Sequence, residues 1–239
     1  MEQPNAITLL GFGPQGWGAN LLFATVTTLA VTLLAFAFGG VFGALIARAK
    51  LTGGWLARGF GDVYTTVLRG VPDLLVIYLL YFGGSQILSS LYRLMGGSGF
   101  VGINAFFTGA LAVGVVSGAY QAEVFRGAYL AIPKGELEAA RSVGMSGMTL
   151  FRRIVLPQVL RFAIPGLGNV WQLALKESAL ISVTGLTELL RMSQVAAGST
   201  RQPFVFYAAA GVLYLVLTSL STWVFNQAEA RAMRGVRRA

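Results

Sequence analysis

The chain contains no cysteine and no histidine among its 239 residues. These absences exclude a thiol nucleophile, a thiolate or imidazole metal site and a histidine general base. Lysine is scarce too, because Lys50, Lys134 and Lys176 are the only three and none follows a glycine. A phosphate-binding loop needs glycine directly before its lysine. The sequence therefore predicts no catalytic residue, no metal site and no ATP hydrolysis within this chain.

Charged residues are also few, at only 11% of the chain. A soluble globular protein has about 25%. Hydrophobic residues make up 55% and the mean hydropathy is +0.69. The chain is therefore predicted to be an integral membrane protein. Its net charge of +9 indicates topology rather than nucleic-acid binding, because no polar domain is present to hold a basic surface.

Five apolar stretches have about the 20 residues that a helix needs to cross a bilayer. They are 21–47, 62–83, 103–127, 159–182 and 204–227. The second contains Asp62, Arg69 and Asp73, so we expect it to line the bundle interior rather than face lipid. No Lys or Arg precedes residue 21 to form the start of a cleavable signal. We therefore expect the first span to be retained.

The basic residues are distributed unevenly between the loops. Twelve Lys and Arg follow spans one, three and five, whereas three lie in the loops on the opposite side. Because basic loops remain cytoplasmic, we predict an external N-terminus, a cytoplasmic C-terminus and a cytoplasmic loop at 132–157.

That loop reads as two short helices. Residues 136–143 favour a helix, Gly144 supplies a positive-φ stop, and Ser146 is a candidate N-cap for a second helix to Arg153. The second helix carries an apolar stripe of Met145, Met148, Phe151 and Ile154. By periodicity alone, a docking surface and an ordinary connecting loop are equally good interpretations.

The spacing within the loop is more specific. Glu138-Ala139-Ala140 is followed after three residues by Gly144, and after nine more by Ile154-x-Leu156-Pro157. This pattern resembles the EAA loop by which permease subunits of bacterial ABC importers dock onto their ATPase. The resemblance implies an all-α membrane protein, a single 1–239 permease domain of the type I importer fold, with five spans and cytoplasmic coupling helices. It assigns coupling to Glu138, Ala139, Ala140, Gly144, Ile154, Leu156 and Pro157.

Three further runs, 68–75, 119–127 and 175–180, resemble the polar amino acid branch of these permeases. Asp73 directly after Pro72 resembles the Q-type subunits that serve histidine, lysine and arginine or the opines octopine and nopaline. The resemblance implies an inner-membrane transport subunit that is not itself an enzyme. The implied partners are a homologous permease chain or a second copy, two ATPase subunits that bind ATP and Mg, and an extracytoplasmic solute-binding protein.

The candidate substrate-binding residues are Asp73, Tyr120, Glu123 and Arg69. Asp73 is a carboxylate beside a helix that Pro72 weakens, which suits a cationic substrate, although a permanent salt bridge with Arg69 is the alternative. Glu123 has the alternatives of pairing with Arg126 or lying at the interface. Lys176 and Glu177 are expected to make gate or subunit contacts.

Three other functions compete with this one. The same architecture can import another class of amino acid. A self-sufficient secondary transporter is a second alternative, but such folds use inverted repeats, and five spans with one dominant inner loop do not divide that way. An intramembrane enzyme is the third, and the chain shows no paired carboxylates at an obvious register. Co-purification with an ATPase separates the importer from the last two.

Overall fold

The protein is described by a computed structural model that covers residues 5–99, 102 and 104–233. Every regular element in these ranges is a helix. They are α1 (Ala6–Leu10), α2 (Gly18–Thr52), α3 (Trp55–Gly70), α4 (Asp73–Tyr78), α5 (Gly84–Leu94), α6 (Ala105–Leu130), α7 (Lys134–Ser142), α8 (Gly147–Leu150), α9 (Leu156–Glu177), α10 (Leu189–Thr200) and α11 (Pro203–Ala232). The predicted start of span three at residue 103 and the basic tail of Arg234, Arg237 and Arg238 lie outside the described residues.

Four helical segments in the described part are long and apolar enough to cross a membrane. They are Gly18–Thr52, Asp73–Leu94, Ala105–Leu130 and Pro203–Ala232. The predicted span at 159–182 corresponds to α9, which is less apolar because it contains Arg161, Lys176 and Glu177. α9 packs against α6 and α11. Its membrane crossing remains a prediction.

The second predicted span, at 62–83, is wrong as a single helix. α3 ends at Gly70, Val71 is extended with φ −94° and ψ 139°, and α4 begins at Asp73. Pro72 is the physical cause, since proline has no backbone N–H and disfavours the helical conformation of the residue before it. The apolar segment runs instead from Asp73 through a π-helical turn at Leu79–Gly83 to Leu94. Asp73 therefore lies at the first position of a helix.

Helices α2 and α6 form the tightest seam of the fold. A Cβ at Gly43 of α2 would lie 2.8 Å from the Cβ of Gln121, and one at Gly114 of α6 would lie 2.7 Å from the Cβ of Phe38. Gln121 is buried, and its Nε2 donates to the carbonyl of Phe36 across the seam at 3.0 Å. Only glycine permits this approach, as small residues do in membrane helix pairs.

The loop between α6 and α9 confirms the predicted pair of helices and corrects its end. Gly144 has φ +79°, and the Ser146 hydroxyl caps α8 by accepting from the Thr149 N–H at 3.4 Å. The expected end of the second helix at Arg153 is wrong, because a π-helical turn at Phe151–Val155 joins α8 to α9. An ordinary helical turn would bring the Pro157 ring against the preceding carbonyls, and the wider turn accommodates it. α8 thus continues into α9 without a break in the helix.

Candidate functional site

The elbow, defined here as residues 132–157, has a small apolar core of its own. Its buried members are Ile132, Ala140, Leu150 and Val155, and Leu137, Met145 and Ile154 pack against them. The predicted apolar stripe therefore divides into two parts. Met145 and Ile154 face this core, whereas Met148 and Phe151 remain 68% and 49% exposed. A packed elbow with exposed apolar side chains combines rigidity with a surface for a partner.

Four of the seven predicted coupling residues line one groove of the elbow. Ala139, Ala140, Ile154 and Pro157 line an open groove of about 550 Å³ between α7 and the start of α9. Glu138, Gly144 and Leu156 are exposed beside it. Across the groove, the Gln158 amide donates to the Glu136 carboxylate at 2.6 Å.

A second group of residues, the Asp73 cluster, consists of Asp73, Glu177, Tyr120 and Arg69. The carboxyl groups of Asp73 and Glu177 lie close enough to act electrostatically on each other. Both carboxylates and Arg69 act electrostatically on the Tyr120 hydroxyl. The guanidinium carbon of Arg69 lies 5.4 Å from the centre of the Tyr120 ring. Three of the four predicted substrate-binding residues are thus brought together.

The permanent salt bridge between Arg69 and Asp73, the alternative left open above, is not formed. Within the part of the chain that the structure describes, no ion pair joins these two residues. Arg69 is exposed and interacts with the ring of Tyr120 instead. The Asp73 carboxylate therefore retains the capacity to bind another cation.

Glu177 is the member that sequence reasoning missed. Its side chain is only 4% exposed, and neither carboxylate oxygen has a hydrogen-bond partner within the described residues. A buried carboxylate without hydrogen bonds is costly, and a cation at this position would offset that cost. Helical spacing offers a signal, because Glu177 continues the buried face of Val170 and Ala174 at intervals of four and three. From the sequence alone, subunit or gate contacts are predicted for Glu177.

Glu123, the fourth predicted substrate residue, lies in a separate group. The Lys50 network consists of Lys50, Asp62, Thr65, Glu123 and Arg126. The Lys50 ammonium bonds to one Glu123 oxygen, to Asp62 at 2.9 Å and to the Thr65 hydroxyl at 3.0 Å. Arg126 donates to the other Glu123 oxygen at 2.8 Å. The structure therefore favours the intrachain pairing of Glu123 over direct substrate binding.

These features define a class of protein: a helical membrane permease with a packed elbow at one end of the bundle and an unpaired acidic site among its helices. Comparison with known proteins gives the family. Residues 39–234 match the model of the binding-protein-dependent transport system inner membrane component. The chain belongs to this family of multi-pass inner-membrane permeases.

The chain is 59% identical over 230 residues to the octopine transport system permease protein OccQ of Rhizobium radiobacter, covering 96% of this chain and 97% of that protein. It is 38% identical to the histidine/lysine/arginine/ornithine transport system permease protein HisQ of Escherichia coli strain K12, over 94% of this chain and 98% of the relative. A crystal structure of an amino acid ABC transporter with histidines aligns with a TM-score of 0.75 at 30% identity, covering 90% of this chain and 95% of that one. The fold is that of the type I ABC importer permeases.

Proposed function

We propose that this chain imports cationic amino acids or opines as the membrane-spanning subunit of an ATP-driven importer. The main support is the buried carboxylate of Glu177, which faces Asp73 and has no partner within the described residues. Such a site lacks a positive charge that an ammonium or guanidinium substrate supplies. The relatives named for octopine and for basic amino acids agree with this chemistry.

The elbow is proposed to bind a separate ATPase, which holds ATP and Mg. Its packed core allows α7 and α8 to move as one body, and the continuous helix from α8 through the π turn carries that movement into α9. Because α9 ends at Glu177, movement of the elbow acts directly on the Asp73 cluster. ATP binding would bring two elbows together and open the site outward, and hydrolysis would return it inward.

The proposed assembly contains a homologous permease chain or a second copy, two ATPase subunits and an extracytoplasmic solute-binding protein. We propose an external N-terminus and a cytoplasmic elbow, because most of the basic loop residues lie on the elbow side. Because the chain has no cysteine, single Ser142→Cys and Ser98→Cys variants test this orientation. In intact spheroplasts, an impermeant thiol reagent should label only the cysteine at 98. Labelling at 142 alone would reverse the orientation and overturn the docking proposal.

The substrate proposal is tested by ATPase stimulation in proteoliposomes that contain the assembled importer and its binding protein. Basic, acidic and neutral amino acids and octopine are compared for the parent and for Asp73→Asn. We expect stimulation by cationic solutes to fall at least about tenfold, a loss of about 1.4 kcal/mol in substrate binding. Glu229→Gln removes a carboxylate from α11, outside the cluster, and should leave stimulation unchanged. Equal stimulation of the parent and Asp73→Asn by every solute would remove Asp73 from the site.

Coupling is tested at two of the three glycines of the elbow, Gly144 and Gly147. Gly144 has φ +79°, whereas Gly147 lies inside α8 with open space around a Cβ. Gly144→Ala strains the turn by about 1–2 kcal/mol, so co-purification of the ATPase should weaken. Gly147→Ala should retain it. Identical ATPase recovery from both variants would contradict docking through the elbow.

A further inference from the structure

Both carboxylate oxygens of Glu123 are held by cations. Lys50 bonds to Oε1, and Arg126 bonds to Oε2 at 2.8 Å. Lys50 also bonds to Asp62 at 2.9 Å. The two cations and two carboxylates of the Lys50 network therefore sum to zero charge. The Lys50 and Glu123 side chains are only 11% and 21% exposed, so solvent screens their interaction weakly.

This neutral group lies between the Asp73 cluster and the elbow end of α6. Glu123 is one helical turn beyond Tyr120, about 4.5 Å along the axis at 1.5 Å per residue, and residues three apart share a helix face. Asp62 is 64% exposed, so the network reaches the surface at this end of the bundle. A cation that leaves the Asp73 cluster along this face of α6 toward the elbow would pass Glu123.

An uncompensated carboxylate at this point would attract the same cation that Asp73 and Glu177 bind. We propose that Lys50 is a release residue: together with Arg126 its fixed ammonium balances the charges of Glu123 and Asp62, so that the exit carries no net negative charge to retain the transported cation. Lys50 acts through Glu123 and so is a positioning residue. The inference rests on the proposed import of cationic substrates.

The Lys50 side chain packs closely against α3. A Cβ at Gly61 of α3 would lie 2.6 Å from the Cγ of Lys50, so the lysine stem passes over a position that has no side chain. The Thr65 hydroxyl, one turn further, accepts from the ammonium at 3.0 Å and donates to the Gly61 carbonyl at 3.0 Å. The stem and the charge are thus both held in place, which distinguishes Lys50 from a mobile surface lysine.

The test uses the assembled importer in proteoliposomes with Lys50→Met, which keeps the stem length and removes the charge, and with Lys50→Arg, which keeps the charge. Arginine uptake is measured with increasing arginine on the elbow side. For Lys50→Met, we expect the concentration of elbow-side arginine that halves uptake to fall about tenfold, which corresponds to about 1.4 kcal/mol. The external KM should change less than twofold, because loading occurs at the Asp73 cluster. Lys50→Arg should behave as the parent.

The double variant Lys50→Met/Glu123→Gln distinguishes a role of Lys50 in substrate release from a purely structural role. Removing both charges should restore the parental inhibition, whereas a structural role predicts a further decline. If Lys50→Met prevents assembly, Lys50→Gln provides a second neutral variant with a donor for Thr65. Unchanged inhibition in the neutral single variants, or no restoration in the double variant, would overturn the inference. Failure of the proposed function is distinct, because the parent itself would then show no stimulation by cationic solutes.

Discussion

The Asp73 cluster and the Lys50 network each include a residue of α6, and these residues, Tyr120 and Glu123, lie about one helical turn apart. The two groups differ in whether their charged side chains are paired. In the Lys50 network, each oxygen of Glu123 bonds to a cation. In the Asp73 cluster, both oxygens of Glu177 lack a partner within the described residues, although Glu177 is the more buried carboxylate. The more buried of the two carboxylates is therefore the one whose oxygens lack hydrogen-bond partners within the described residues. The difference agrees with a first group whose charges neutralise one another and with the proposed use of the second group for a ligand.

A third buried carboxylate supports this distinction. Glu188 is fully buried and caps α10, accepting from the N–H groups of Arg191 at 2.7 Å and Leu190 at 2.9 Å. The Tyr214 hydroxyl donates to it at 3.2 Å. The fold therefore supplies donors to a buried carboxylate where its role is structural. Their absence around Glu177 is a local property of the Asp73 cluster.

The largest expected effect comes from breaking the paired group. Glu123→Met leaves Lys50 and Arg126 without their shared carboxylate in a partly buried position. Because removing one partner of a buried ion pair leaves an uncompensated charge, we expect a loss of about 3 kcal/mol in the free energy of unfolding. Chemical unfolding in detergent micelles measures it. Glu229→Met, the control, removes a carboxylate that forms no described ion pair and should change stability by less than about 0.5 kcal/mol. Equal losses in the two variants would contradict the stabilising role of the network.

The next effect should have the opposite sign. Glu177→Met replaces an unpaired buried carboxylate with an apolar side chain of similar size, so we expect a gain of about 1–2 kcal/mol in the free energy of unfolding. The same variant should lose stimulation by cationic solutes. This exchange of stability for function is expected where a site keeps a buried charge unsatisfied. A loss of stability comparable to that of Glu123→Met would instead show that Glu177 is paired in the folded protein.

The sequence predicted the local elements well where the signal was also local. The positive φ of Gly144 and the cap at Ser146 follow from the preferences of single residues. Proline effects were harder to predict. Pro72 stops α3 completely, whereas Pro157 sits in a continuous helix because a π turn makes room for it. Proline restricts the backbone in both places, but the surrounding packing selects a break or a widened turn.

The candidate site required tertiary information. Asp73, Tyr120 and Arg69 were predicted from their own segments, but the partner of each depends on how α3, α6 and α9 pack. Lys50 and Glu123 are 73 residues apart, and no periodicity within either helix predicts their contact. The burial of Glu177 also depends on this packing, because its charge alone does not distinguish an exposed position from a buried one.

A smaller effect sharpens the role of the Lys50 stem. Gly61→Ala places a Cβ 2.6 Å from the Lys50 Cγ, and relieving this overlap should reduce the free energy of unfolding by about 1 kcal/mol. Gly59→Ala is the matched control in the same helix, with nothing within 4 Å of its Cβ. It should gain about 0.5–1 kcal/mol through helix propensity. Stabilisation by both substitutions would mean that the lysine stem moves aside without cost.

The smallest effect on stability concerns Arg69, which borders the unpaired group without neutralising it. Arg69→Met removes an exposed contact with the Tyr120 ring, so the free energy of unfolding should fall by only about 0.5 kcal/mol. Binding should be more sensitive, because the Arg69 guanidinium of the parent is available to bind the carboxylate of a substrate whose cationic end lies between Asp73 and Glu177, and the variant lacks it. We expect the KM for arginine to rise about fivefold, corresponding to about 1 kcal/mol, and that for agmatine, which lacks the carboxylate, to remain unchanged. Arg69→Lys keeps a cation on this side of the cluster and should retain most of the preference for arginine over agmatine. An equal rise in KM for both solutes in Arg69→Met would show that Arg69 positions Tyr120 rather than binding the substrate.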